Sequence, residues 1–385
     1  MRSWGWRKSR SRCGSAWWRR PACRSRSWRR FARPPTRPWW TGCSWTRRWP
    51  SPPRSARAAG RSSARTPGPC WPGCARWCAP PASSPTDAVP PYILQLPAAG
   101  VAPVPLVCDS PHSGTRYPAD FGHAIDLAAL RRSEDTHVDT LWSALPRAGA
   151  ALLCATFPRS YIDCNRDEAD IDLSMLQGEW QRPARPSQRG LALGNGLVWR
   201  RTPEHLEIYR RRLGAAEVEG RIDRYWRPYR EALVRQLSLC EEAHGAWWHL
   251  NLHSMPSNAY ERLGLGTARP LADVVLGDRH GSTCSPGFLH EVRSAFEAQG
   301  LTVAVNDPYE GAELVRVSGD PARHRHSLQV EINRALYMDE GTREPGPGFA
   351  ALATAIGGVV ARLAAYVTRE GNALRDRQRA TAAGS

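Results

Sequence analysis

Between residues 100 and 345, short β-branched and aliphatic runs alternate with longer stretches whose apolar side chains recur at helical spacing. Alternation of this kind predicts a mostly parallel sheet covered by helices, because a parallel strand must be carried back to its start by a crossover. The runs predict strands at Val104–Asp109, Ala151–Phe157, Trp247–His253, Leu301–Val305 and Leu328–Asn333. Glu204–His244 reads as a long helix broken at Pro228. Pro286–Gln299 reads as an amphipathic helix with Leu289, Val292 and Phe296 inward and Gly300 as its stop, and Phe349–Arg369 as a closing apolar helix.

In open α/β sheets, working residues collect beyond the carboxyl ends of the strands, where loops present them without disturbing the sheet. Four of the five predicted strands run into polar clusters: Asp109–Gly114, Tyr161–Asp167, His253–Met255 and Asn306–Tyr309. His112 lies between Pro111 and the small pair Ser113-Gly114, and His253 also emerges from an apolar strand. Two imidazoles so placed, with a carboxylate, form the usual protein ligand set of a catalytic zinc. The plainer reading is two unrelated, hydrogen-bonded histidines, since there is no HExxH motif.

Either Glu134 or Asp135 is the candidate acid; the plainer reading is an acidic pair at a helix start after Ser133. Glu331 lies between Val330 and Ile332 on a strand, with Gln329 and Asn333 in register. That polar face is either solvent-facing or a pocket floor, and a Glu beside an activated water is a standard general base. Arg166, Arg316 and Arg334 are candidates for gripping a substrate carboxylate, which the guanidinium fork matches.

Composition changes the picture mainly at the N-terminus. The net charge of +17 would suggest a polyanionic partner, but residues 1–85 carry nineteen Arg, one Lys and no acid, leaving −3 for the remainder. The same segment holds eleven of the 17 Trp and six of the 11 Cys and contains no Leu, Ile or Val, so it cannot build a core. It is read as a disordered basic segment over residues 1–87. A nucleic-acid-binding arm and a transit peptide are alternatives, but the favoured reading is an upstream extension from a wrongly chosen start in a GC-rich genome. The organisation expected is therefore 1–87 disordered, 88–370 a catalytic domain and 371–385 a disordered tail. No apolar run approaches about 18 residues and no apolar segment follows the basic start, so a cytoplasmic protein without a membrane partner is expected. The body's five widely spaced Cys fit reduced thiols.

Read in order, the blocks Ser110–Thr115, Glu134–Asp139, Tyr161–Arg166, His253–Met255, Val275–Arg279, Asn306–Gly311 and Gln329–Asp339 resemble the N-formylglutamate amidohydrolase family. The resemblance runs from about 104 to 340. It implies a phosphorylase/hydrolase-like, three-layer α/β/α fold related to zinc carboxypeptidases and aspartoacylases. It further implies one zinc per chain, hydrolysis of N-formyl-L-glutamate, His112 and His253 as ligands with Asp135 as the acid, and Glu331 as the base. Asn165-Arg166 would correspond to the Asn-Arg pair that binds a substrate carboxylate in the carboxypeptidase relatives. A related deacylase or carboxypeptidase acting on another N-acyl amino acid or peptide is the nearest alternative. A nucleic-acid binder working through the basic N-terminus is the alternative of another class; no nucleic acid is expected for the body. Deleting residues 1–87 should leave folding and turnover unchanged, and a drop in either, measured by thermal melt and activity assay, would show that the segment contributes.

Overall fold

The run Trp247–Met255 shows how this sequence forms its sheet. Trp248, Leu250 and Leu252 alternate with His249, Asn251 and His253, yet all nine residues are buried. The strand therefore presents an apolar face to one layer and a polar face to another covered layer. The computed structural model describes residues 90–267 and 269–383; the expectations for residues 1–87 lie outside them.

Seven strands make one mixed sheet: β1 (Tyr92–Gln95), β2 (Leu106–Ser110), β3 (Ala151–Ala155), β4 (Trp247–Met255), β5 (Val274–Gly277), β6 (Val303–Val305) and β7 (Arg325–Asn333). Their order is β1-β3-β2-β4-β7-β5-β6. The four central strands are mutually parallel, β1 is antiparallel to β3, and β5 and β6 run together against β7. The register aligns Val107, His249 and Ser327 in one row, Asp109, Asn251 and Gln329 in the next, and His253 beside Glu331 beyond them. A buried polar stripe thus climbs the sheet towards the carboxyl ends of the parallel strands.

The opposite face is apolar. Leu106, Cys108, Leu250, Leu252, Leu328 and Val330 meet the helices α3 (Pro286–Glu297) and α4 (Phe349–Ala383) there. Burying each large aliphatic or aromatic side chain contributes about 1.5–3 kcal/mol, so this layer anchors the domain. On the polar side, α2 (Arg227–His244) buries Tyr229, Leu233 and Leu237 against Val107 and Leu153, completing three layers. The short helix α1 (Gln188–Leu193) lies in the long connection between β3 and β4.

Several elements differ from their sequence expectations. β1 and β5 have four residues each and were not anticipated, being too short for a periodic signal. Glu204–Arg212 is turn and bridge rather than helix. Pro228 does not break the helical rod: the widened π segment Ile222–Trp226 precedes it, and Pro228 falls in the first turn of α2, where its missing N–H is tolerated. The expected tail at 371–385 is helical as far as Ala383. A Cβ at Gly371 would come 3.4 Å from the Pro105 ring and 3.9 Å from Trp248, and Leu374 is buried, so packing carries α4 through the glycine. Contrary to the run-length expectation, Phe349–Thr381 is long and apolar enough to cross a membrane. Here Leu352, Ile356, Val359, Leu363 and Val367, at helical spacing, are buried in the core.

Gly114 controls how closely the loop after β2 approaches the sheet. A Cβ there would sit 2.2 Å from the Phe157 carbonyl oxygen and 2.5 Å from the Thr156 carbonyl carbon, both backbone atoms. Gly114→Ala should therefore destabilise the fold by about 1–3 kcal/mol, the usual cost of overpacking, as read from urea denaturation. An unchanged midpoint would show that the loop can lift away freely.

Candidate active site

Three loops and strand ends bring His112, Asp135 and His253 together. His112 follows the end of β2, His253 lies near the end of β4, and Asp135 sits in the turn between two short helices, Leu127–Arg131 and Val138–Leu141. The Asp135 backbone N–H donates to the His112 carbonyl at 2.9 Å, fixing one loop to the other. Candidate ligand atoms of the three residues lie within 4.8 Å of one another, and all three are buried. Asp135 Oδ2 is 3.0 Å from His253 Nδ1 and 3.4 Å from His112 Nδ1.

The outer ring nitrogens are held by the protein. His112 Nε2 faces Asp163 Oδ1 at 2.7 Å, and His253 Nε2 faces Asn251 Oδ1 at 2.7 Å. Asn251 Nδ2 in turn donates to Asp109 Oδ1 at 2.8 Å. This leaves both Nδ1 atoms turned into the cluster, and His112 Nδ1 is a buried nitrogen without a hydrogen-bond partner. Two imidazoles oriented through their far nitrogens, converging with a carboxylate, match the donor set and orientation of a zinc centre. The residues therefore fit a bound divalent cation.

Charge supports the same reading. Burial alone would raise Asp135, but the facing imidazoles of His112 and His253 and the charges of Arg159 and Arg334 hold it well below the usual carboxylate range. Burial pushes His253 down to about 4, which keeps its imidazole neutral and able to donate a lone pair. Asp163 is likewise held low, against its burial, by His112, Arg159 and Arg166.

Glu331 lies beside His253 in the strand register. Its Oε1 accepts from Gln329 Nε2 at 2.7 Å. Burial first, and then the Asp135 charge, push its carboxyl up to about 8. A carboxyl so perturbed is poised to exchange protons near neutrality.

The other expected site residues have distinct surroundings. Arg334 donates through Nη2 to Asp135 Oδ1 at 2.7 Å and through Nε to Ser254 Oγ at 3.0 Å, so it braces the acidic residue of the cluster. Asn165 accepts from Leu314 N–H at 2.8 Å and donates to Asn251 Oδ1 at 3.1 Å, which occupies its amide in the network behind His253. Arg316 is half-exposed and forms a bidentate pair with Glu313 at 2.7 and 2.8 Å. Arg166 donates to the carbonyls of Asn195 and Asn165, each at 3.1 Å, and has no carboxylate within ion-pair distance among the described residues. Glu134 points elsewhere, accepting from Tyr117 Oη at 2.7 Å and Thr136 Oγ1 at 3.1 Å.

Arg159, Asp163 and Asn251 were not assigned roles from sequence. Asn251 was discoverable by period two from His253; Asp163 lay within the Tyr161–Asp167 cluster. Arg159 binds Asp163 through Nε at 3.2 Å and Nη2 at 3.1 Å while its guanidinium lies 4.9 Å from the Trp199 ring centroid. His112, Asp135, His253, Glu331 and Arg159 border one cavity of about 700 Å³, lined by ten Arg against six Asp and Glu. That surplus favours an anionic occupant.

Comparisons with known proteins point to one family. The profile of the N-formylglutamate amidohydrolase family matches residues 104–338. The chain is similar to the N-formylglutamate deformylase of Pseudomonas putida, with 26% identity over 241 residues, covering 62% of this chain and 83% of that protein. It is also similar to the N-formylglutamate deformylase of Pseudomonas aeruginosa, with 27% identity over 243 residues and the same coverages of 62% and 83%. Among solved structures, the N-formylglutamate amidohydrolase from Ralstonia eutropha JMP134 is 52% identical with a TM-score of 0.71, covering 73% of this chain and all of that one.

If Asp163 orients His112 for a cation, Asp163→Asn should weaken zinc affinity by about 10- to 100-fold while the protein stays folded. Competition titration against a chromophoric chelator measures this, and undiminished affinity would make Asp163 purely structural.

Proposed function

The chain belongs to the N-formylglutamate amidohydrolase family, and from that premise we propose that it hydrolyses N-formyl-L-glutamate to formate and L-glutamate with one zinc ion per chain. The observation that carries this reading is the convergence of His112 Nδ1, His253 Nδ1 and Asp135 Oδ2 beside the buried Glu331, inside a cavity with surplus positive charge.

His112, Asp135 and His253 would hold the ion. When bound, it supplies Lewis acidity that polarises the formamide carbonyl and makes water more acidic. The protein's own residues do the rest. Arg166 is placed to take the substrate α-carboxylate, since its guanidinium borders the cavity with no carboxylate partner of its own. Arg159 keeps a positive charge at the cavity wall, where the carbonyl oxygen gains negative charge during attack. Glu331 takes a proton from the attacking water as the new C–O bond forms, then returns it to the nitrogen as the C–N bond breaks. The second proton of the former water passes from the carboxyl of the released formic acid to the amine, so formate and glutamate with a protonated amino group leave, and Glu331 ends as it began. Neither Ser113 nor Ser254 stands in a Gly-x-Ser-x-Gly elbow, so no covalent intermediate is needed.

A panel of N-formyl, N-acetyl and N-succinyl amino acids tests the substrate assignment; turnover confined to the acetyl or succinyl compounds would overturn it. Glu331→Gln keeps the shape but cannot accept a proton. It should retain zinc and the fold and lower kcat by on the order of 10²–10⁴, with KM little changed. Wild-type kcat in a zinc-loaded variant would end Glu331's role as the base.

A further inference from the structure

We propose that Arg189, on helix α1, is a specificity residue that binds the side-chain carboxylate of the substrate, opposite the α-carboxylate held by Arg166. This rests on the N-formylglutamate reading above and extends it to the acidic side chain.

Arg189 borders the same cavity as the His112–Asp135–His253 cluster. It is exposed, and its guanidinium makes no hydrogen bond or ion pair with another described residue. By contrast, Arg159, Arg316 and Arg334 in the same wall are each engaged by a carboxylate. Its charge reaches the interior of the site, acting on both the Arg166 guanidinium and the Tyr309 hydroxyl.

The helix that carries it is braced to the loop that carries Arg166. The Ser187 backbone N–H and Oγ donate to the two Asp170 carboxylate oxygens at 2.6 and 3.1 Å, and Gly190 N–H donates to Ser187 Oγ at 2.9 Å. At the other end of α1, Asn195 N–H donates to the Gly190 carbonyl at 3.1 Å, and the Asn195 carbonyl accepts from Arg166 Nε at 3.1 Å. The helix therefore stays in register with Arg166, although a guanidinium on a long side chain still has reach of its own. Two cations facing one cavity repel each other, and a ligand with two carboxylates relieves that repulsion by pairing with both. N-formyl-L-glutamate has this form, whereas an N-formyl neutral amino acid would leave Arg189 unpaired.

The test compares wild type, Arg189→Gln and Arg189→Lys on N-formyl-L-glutamate and N-formyl-L-glutamine, which differ only in the side-chain carboxylate. Removing Arg189 should lower kcat/KM on N-formyl-L-glutamate roughly 10- to 100-fold, mainly through KM, as expected for a lost charge-assisted hydrogen bond. On N-formyl-L-glutamine the change should stay within about two-fold, because no ionic partner is lost there. Arg189→Lys, which keeps the charge without the fork, should fall between. Thermal melts of the variants should match wild type, since Arg189 is exposed. Equal losses on both substrates, or no loss on either, would overturn the subsite while leaving the hydrolase reading standing. A wild-type enzyme that turns over neither compound would instead overturn the functional reading, and the subsite with it.

Discussion

The structure depends on keeping one charge, the Asp109 carboxylate, fully buried in the centre of the sheet. A buried carboxylate without partners would cost several kcal/mol and would shed its charge by taking up a proton. Three groups prevent this: Tyr229 Oη at 2.7 Å, His249 Nε2 at 2.9 Å and Asn251 Nδ2 at 2.8 Å. Burial raises Asp109, and these contacts more than offset it. Tyr229 comes from the covering helix α2, while His249 and Asn251 come from the neighbouring strand β4. The same interaction therefore clamps a layer to the sheet and fixes the side chains that lead to the active site. His249 Nδ1 passes the network to Ser327 Oγ on β7 at 2.7 Å, and Asn251 Oδ1 passes it to His253.

A second ionic chain meets the first at Asp135. Arg334 holds Asp135 Oδ1, leaving Oδ2 to face both imidazoles; His112 links onward to Asp163, which Arg159 neutralises in turn. Positive and negative groups alternate along this path, so each buried charge has an opposite neighbour. Arg334 is better understood in that role than as a first grip on substrate. Asn165 stands similarly behind His253. The guanidinium groups left for an anionic ligand are those whose own contacts are carbonyls, such as Arg166, or that have no such contact among the described residues, such as Arg189.

Much of this was legible from sequence where chemistry and periodicity coincide. The central strands β2, β3, β4 and β7 were readable because buried parallel strands are rich in apolar residues. His112 and His253 stood out because each ends such a run. The family resemblance pointed to Asp135, while the residues by themselves left Glu134 open, because the two are adjacent and only the turn decides which one points towards the histidines. The plainer reading of that pair as the start of a helix fails because the turn precedes the helix at Val138 rather than forming its first residues. β1 and β5 were hidden because four-residue segments, one at the sheet edge and one between β7 and β6, acquire their structure from pairing, not from their own pattern. Period two put Asn251 on the face of His253 and Gln329 on that of Glu331, but the contacts these residues and Asp109 make needed the fold, because a polar alternation on a strand reads equally as solvent-facing until a covering layer closes the face.

That closed polar face also explains where reactivity concentrates. Along the stripe, donors and acceptors are matched from Ser327 through His249, Asp109 and Asn251, and this part of the sheet behaves as a rigid scaffold. The matching stops at the row beyond it. His112 Nδ1 has no hydrogen-bond partner, and Glu331 is held through one oxygen by a neutral amide, with burial and Asp135 both working against its charge. Stability alone would favour completing those contacts or replacing the groups with apolar ones. The fold retains them at the ends of its parallel strands, beside the cavity, where the hydrolysis proposed above would use both an unpaired imidazole nitrogen and a carboxyl held by a single contact. The complete network beneath keeps these unmatched groups in fixed positions.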